Sequence, residues 1–158
     1  MQRKFIYPSI ASKTLPVING QYADKNCCSV FAIAHAFDME FTDAQAICAK
    51  WGREHGKGMQ VEQMCMMLAV EFAGRNKPIG VFGTTGCADI ALIYLRKAYG
   101  SYAQQLPGMT LDRFVKTYNI GTYIVYIKGH VTVVKDGSIL SYNRENGNKR
   151  VCAVWKVE

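Results

Sequence analysis

Two adjacent cysteines, Cys27 and Cys28, stand at the start of an apolar stretch that runs to Phe37. The stretch begins polar and then becomes small and apolar, which is typical of a buried helix whose first turn is exposed. A thiol at a helix N-terminus lies beside unpaired backbone N–H groups and the positive end of the helix dipole, which favour the thiolate. The pattern therefore predicts a nucleophilic cysteine. The competing interpretation is a pair of inert core cysteines, since cysteine is among the most buried residue types.

A general base for such a thiol has three candidates, because the chain contains 3 histidines. His35 follows Cys28 by two helical turns, roughly 10 Å along the axis, which is too far for the two to pair. His55 lies in a glycine-rich loop and stays an alternative. His130 opens a β-branched run and is the candidate base, although a half-buried strand histidine without a catalytic role has the same pattern.

A third member of the site follows from the turn at Asp136-Gly137. If these two residues form a two-residue hairpin turn, counting back along both strands places His130 opposite Asn143. Directly opposed residues share a face and lie roughly 5 Å apart at Cβ. We expect the Asn143 carbonyl to accept from one imidazole nitrogen and fix the tautomer. A bulge would shift the register and bring Ser141 or Tyr142 there instead.

The composition is that of one domain, residues 1–158, with enough apolar side chains for a sizeable core. The net charge of +7 would suit an acidic partner or nucleic acid, but the basic residues form no run and no nucleic-acid motif is present. No segment approaches the roughly 20 apolar residues of a membrane span, and the N-terminus lacks a signal-peptide core. We therefore expect a protein of the cytosol that does not bind a membrane, with nucleic acid an improbable partner.

The cysteine pattern predicts neither a metal site nor a cofactor. The six cysteines are Cys27, Cys28, Cys48, Cys65, Cys87 and Cys152. No pair has the C-x-x-C spacing of a zinc site or a thioredoxin motif. In a reducing cytosol we expect all of them to be free thiols.

Apolar periodicity and turn residues predict an α+β fold, with helices first and an antiparallel meander after them. The helices cover about residues 28–37, 42–51, 60–72, 88–99 and a short segment after Thr110, and an extended arm precedes them. Thr42 and Gln45 predict a capping box for the second helix. Residues 80–86 are expected to be a glycine-rich connection. The strands cover 122–127, 130–135, 138–144 and 150–157, joined by tight glycine turns.

A helix-borne cysteine, then a strand histidine, then an asparagine on the next strand resembles the order in papain-like cysteine peptidases. Residues 28–31, Cys-Ser-Val-Phe, resemble the Cys-Trp-Ala-Phe that opens the papain nucleophile helix. Residues 26–32, 52–58 and 129–137 are similar to three motifs of small, phage-type papain-fold proteins: Asn-Asp-Cys-Val-Val-Arg-Ala, a Gly-Arg-rich loop, and Gly-His-x-x-x-Val-x-Asp-Gly. Cys27 stands where that family has Asp, and Phe31 where it has Arg.

The resemblance implies a thiol hydrolase that cleaves a peptide or isopeptide bond. Cys28 would attack the acyl carbon, His130 would carry the proton and Asn143 would orient His130. Papain-like enzymes also place a glutamine shortly before the nucleophile to donate into the oxyanion hole, and Gln21 is the candidate here.

Two assignments within this implied site have alternatives. Gln21 precedes both cysteines by a spacing that favours Cys27 as the nucleophile, while the Ser-Val-Phe-Ala that follows favours Cys28, which we choose. Asn26 could donate to the oxyanion instead of Gln21.

Other functions are compatible with the same residues. An acyltransferase or deamidase could use the same site, because neither fold nor catalytic residues set the substrate. A non-catalytic phage protein that binds and blocks a host factor could share the fold. The partner is then a protein or peptide in either case, and the sequence does not specify the oligomeric state.

Overall fold

The computed structural model describes residues 27–54, 56–84, 86–100, 103–140 and 147–158, and the backbone of three two-residue strands before them. The described chain is α+β, as the sequence predicts. Its helices are α1 (Cys28–Ala36), α2 (Phe41–Lys50), α3 (Val61–Val70), α4 (Gly86–Tyr99) and α5 (Leu111–Thr117). Its strands are β1 (Phe5–Ile6), β2 (Val17–Ile18), β3 (Gln21–Tyr22), β4 (Asn76–Phe82), β5 (Gln104–Leu106), β6 (Thr122–Ile127), β7 (His130–Lys135), β8 (Ser138–Leu140) and β9 (Val151–Val157).

The main sheet is mixed, which corrects the expected antiparallel meander. Its strand order is β1-β8-β7-β6-β9-β4-β5, with parallel pairs β1·β8 and β4·β5. Strands β6, β7 and β8 do pair antiparallel in chain order, but β9 lies on the far side of β6, between β6 and β4. The chain before β9 crosses the start of α5, where the Lys149 carbonyl accepts from the Leu111 N–H at 2.9 Å. This bond satisfies a helix N–H that otherwise has no partner, so the segment is held at the helix.

Strand β4 takes up the first part, residues 80–82, of the glycine-rich connection expected at residues 80–86. Gly80 has φ +144, and a Cβ there would collide with the backbone oxygen of Gln104 in β5. Glycine is therefore required by the close approach of two strands rather than by a loop. Propensity rules do not predict this strand, because they assign proline and glycine, such as Pro78 and Gly80, to turns.

The sheet buries both faces. One face packs against α1 to α4 and includes Ile124, Val133 and Trp155; the other packs against α5 and includes Val125 and Val134. Neighbouring residues of a strand thus alternate between two cores, as the pleat requires. Among the described residues, no helix is long and apolar enough to cross a membrane.

The helix caps predicted from the sequence are correct for α5 but not for α2. The Thr110 hydroxyl caps α5 by accepting from the Arg113 N–H at 3.3 Å, as predicted. The capping box at Thr42 is wrong: α2 begins one residue earlier, at Phe41, with Glu40 in the cap position and no side-chain cap bond. Phe41 is 2% exposed, so burial of its ring in the core fixes where this helix begins.

The β7–β8 hairpin confirms the predicted two-residue register. Lys135 pairs with Ser138, and Val133 pairs with Leu140. Asp136 and Gly137 have φ values of 48° and 76°, the two positive angles of a type I′ turn. Asn143 and its pairing with His130 lie outside the described residues.

The cysteines depart from the expectation of free thiols. Cys87, in the first turn of α4, forms a disulfide with Cys152 in β9, across a Cα–Cα distance of 6.1 Å. The four others form no disulfide and are buried. Sequence spacing did not signal this pair, because the two residues meet only when α4 packs beside β9.

Candidate active site

Cys28 is the first residue of α1, at the point where the helix meets the sheet. Helical bonding begins there, since the Phe31 N–H donates to the Cys27 carbonyl at 2.9 Å. The Cys28 side chain is 8% exposed, and the backbone N–H groups of Ser29 and Val131 donate to its sulfur. The first turn of α1 contains no acidic residue, so the sulfur is the one group there that can carry negative charge.

His130 is the first residue of β7 and is half-buried. It follows a tight turn in which Gly129 has φ +75, and it pairs with Ile127 of β6. Its side chain hydrogen-bonds Cys28. The hairpin and the helix therefore place an imidazole against a thiol across roughly a hundred residues of chain.

The electrostatics of Cys28 favour the thiolate. Burial alone raises the pKa of this thiol, because a charged sulfur loses water. The hydrogen bond and positive charge of His130, with the N–H groups of Val131 and Ser29, outweigh burial and lower the pKa below its ordinary value. These partners favour the thiolate, which is the nucleophilic form of a cysteine.

Cys65 shows what burial does without such partners. It is 0% exposed on α3, and burial, followed by the negative charge of Glu62, raises the pKa of its thiol to about 12. Its sulfur is therefore protonated at neutral pH. The two thiols differ in chemistry although both are buried.

Tyr126 belongs to this region and was missed by sequence reasoning. Its hydroxyl donates to the Met59 carbonyl at 3.0 Å. Burial first, and then negative charge on Cys28, Glu62 and Cys65, raise the pKa of this phenol to about 12. Strand alternation could have found it, since Tyr126 pairs with Val131, whose N–H donates to the candidate nucleophile.

The remaining predicted site residues are not brought into the site by the described structure. Gln21 lies in β3, where only the backbone is described, paired with Ile18. Asn143, His55 and Asn26 lie outside the described residues. Cys27 is 0% exposed, so its side chain has no path to a substrate without movement of its neighbours.

His35 lies further along α1, as expected. Its ring contacts Phe31, with ring centroids 5.1 Å apart. Within the described ranges, no group of three His, Cys, Asp or Glu side chains is arranged to hold a metal ion.

Comparisons of the chain with protein-family models, with curated proteins and with solved structures find no match. The chemistry of the site is therefore inferred from its own geometry and from the residue motifs.

Proposed function

We propose that this protein is a thiol hydrolase of the papain-like type that cleaves a peptide or isopeptide bond. The observation that carries the proposal is the contact of Cys28, at a helix N-terminus, with His130 at a strand start, together with the lowered pKa of the thiol. A buried thiol whose pKa is lowered by a specific partner departs from the usual effect of burial, and perturbed groups of this kind cluster at functional sites.

The reaction would proceed in two halves. The Cys28 thiolate attacks the acyl carbon, and the carbonyl oxygen becomes an oxyanion held by the Cys28 N–H and, in the proposed site, by Gln21. The His130 imidazolium gives its proton to the leaving amine as the carbon–nitrogen bond breaks. His130 then takes a proton from water, which attacks the thioester and releases the acid and the thiolate. Asn143 is proposed to hold the imidazole in the required tautomer.

We also propose that the chain forms a single domain with a papain-like fold. The order helix cysteine, strand histidine and an α+β fold support it, as does the motif resemblance at residues 26–32 and 129–137. A phage origin and a cytosolic place of action are part of the same hypothesis. The Cys87–Cys152 disulfide weighs against the cytosol, where such bonds are rare.

Two other outcomes use the same residues differently. An acceptor amine in place of water would make the protein an acyltransferase, and a glutamine side-chain amide as substrate would make it a deamidase. A non-catalytic binding protein would have no need of a reactive thiol, so thiol reactivity separates it from all three enzymes.

The first test is the rate of iodoacetamide alkylation of Cys28 against pH, in wild type, His130→Ala and His35→Ala. We expect wild type to react at mildly acidic pH, where an ordinary thiol is protonated. His130→Ala should move the profile to higher pH, and His35→Ala, a histidine on the same helix, should leave it in place. If His35→Ala moves the profile and His130→Ala does not, the site is built differently and the proposal fails.

The second test is an unbiased peptide substrate profile with Cys28→Ala as the inactive control. We expect hydrolysis by wild type and none by the variant, while Cys27→Ala stays active. Circular dichroism spectra of the three proteins should coincide, which separates lost chemistry from lost folding. Activity in Cys28→Ala, with loss in Cys27→Ala, would show that the nucleophile has been misassigned.

A further inference from the structure

A cavity of about 490 Å³ opens beside the β6–β7 turn that carries His130. Three elements form it: the first turn of α4, the end of β6 and the start of β9. Its apolar wall includes Ile127, Val151 and the Cys87–Cys152 disulfide. The volume is sufficient for one or two amino-acid side chains.

Among the residues that the structure describes, the charged side chains of the wall are all basic. They are Lys128, Lys149 and Arg150, and no described acidic residue lines the cavity. All three are exposed, and none has an ion-pair partner among the described residues. Asp89, the acidic residue in the first turn of α4, is not part of the lining. Because the three side chains are exposed, their charges can attract an anion that enters from solvent.

The cavity lies close along the chain to the candidate base, His130, whose side chain contacts Cys28. Lys128 precedes His130 by two residues, so their Cα atoms are at most about 7 Å apart. That separation is about the span of two residues of an extended peptide. A peptide held at Cys28 can thus place a neighbouring side chain into the cavity.

The combination of an apolar wall and basic groups favours a ligand that has both an apolar part and a negative charge. Glutamate carries methylenes that suit Ile127 and Val151 and a carboxylate that suits the lysines and the arginine. A nucleic acid is less well matched, because none of the described lining residues is aromatic and able to stack on a base.

We propose that this cavity binds an acidic side chain of the substrate, glutamate in particular, next to the bond that is cleaved. The inference rests on the proposed function and names its substrate class. Lys128, Lys149 and Arg150 are then specificity-determining residues, which attract the carboxylate without taking part in bond breaking.

The test compares matched fluorogenic peptides that differ only by Glu or Gln at each position flanking the cleaved bond. Each exposed charge pair contributes a factor of about two to five, so three bases predict a Glu-over-Gln ratio in kcat/KM of at least about ten at low salt. Lys149→Gln should lower that ratio by about two- to fivefold, and the triple variant of all three bases to glutamine should bring it close to one. Added salt should lower the ratio in wild type.

Lys97→Gln is the matched control. Lys97 lies near the C-terminal end of α4, where it contacts the Tyr94 ring, and Cys87 lies at the other end. Ten helical residues separate them by about 15 Å, so this variant loses the same charge far from the cavity. Its Glu-over-Gln ratio should equal that of wild type.

Binding measured without turnover separates this inference from the proposed function. Labelled Glu and Gln peptides are titrated into Cys28→Ala protein, with and without Lys149→Gln, and fluorescence anisotropy is recorded. Tighter binding of the Glu peptide that depends on Lys149 supports the cavity even if no hydrolysis is found. Cleavage by Cys28 with a Glu-over-Gln ratio near one overturns the cavity assignment and leaves the hydrolase intact. Displacement of the Glu peptide by a single-stranded oligonucleotide but not by free glutamate would also overturn it, in favour of nucleic acid.

Discussion

The Cys87–Cys152 disulfide should contribute strongly to stability, because it closes a long loop. The two residues are separated by 65 positions in the sequence. Removing the loop-closure entropy of a chain of that length from the unfolded state stabilises the native state by about 4 kcal/mol at 25 °C. For a chain of 158 residues, this free energy corresponds to a fall in Tm of about 13 °C when the bond is lost.

The assay is thermal unfolding followed by circular dichroism, with oxidised wild type, reduced wild type and Cys87→Ala. Cys87 is half-buried, so its truncation creates a smaller cavity than that of Cys152, which is 3% exposed. Reduced wild type and Cys87→Ala should unfold at nearly the same temperature, well below the oxidised protein. A reductant should not affect Cys87→Ala.

Intact mass before and after reduction supplies the check that the bond exists. The oxidised protein should be lighter by the pair of hydrogens that one disulfide removes. Equal masses, or oxidised and reduced proteins that unfold at one temperature, would refute the loop-closure reasoning.

Three further predictions concern the site and its supports. Iodoacetamide at neutral pH should label Cys28 and spare Cys65, because burial raises the pKa of the Cys65 thiol to about 12. Peptide mapping measures both sites, and equal labelling of the two cysteines would show that the pKa of Cys28 is not lowered. Tyr126→Phe should lower the free energy of unfolding in urea by about 1 to 3 kcal/mol, because the buried Met59 carbonyl loses the hydroxyl that donates to it. An unchanged free energy would mean that a water molecule takes the place of the hydroxyl. Gly80→Ala should cost at least about 1 kcal/mol in the same measurement, because the added Cβ meets the β5 backbone at a positive φ, whereas Gly58→Ala, with open space around it, should cost little.

The sequence could predict those parts of the fold that local rules govern. The β7–β8 register follows from Asp136-Gly137, since a type I′ turn sets the observed pairing of Val133 to Lys135 with Ser138 to Leu140. Helix α1 is visible because its apolar run is continuous. The contact of Cys28 with His130 was predicted from the helix start at Cys28, the distance that excludes His35 and the motif resemblance, and the two side chains are hydrogen-bonded.

Long-range pairing could not be predicted in the same way. Strand β9 could have extended the meander beside β8, and nothing local in residues 151–157 says that it pairs with β6 and β4 instead. Strand β4 was missed because Gly80 and Pro78 resemble turn residues. The Cys87–Cys152 disulfide and the basic cavity both depend on the position of β9 between β6 and β4. Neither could therefore be predicted from the sequence.

The disulfide also bears on how the site should be assayed. A thiol enzyme is normally kept active with a reductant, but the Cys87–Cys152 bond forms part of the wall of the cavity that we assign to substrate specificity. Cys152 follows Val151, which pairs with Ile127 at the end of β6. Ile127 directly precedes the Lys128-Gly129 turn and pairs with His130 across it. Reduction would free the first turn of α4 from β9, while the β6–β7 hairpin and α1 keep Cys28 beside His130. Reductant should therefore change which peptides are cleaved more than whether any peptide is cleaved. Because Cys87→Ala lacks the bond under all conditions, it should show the specificity of the reduced protein with or without reductant.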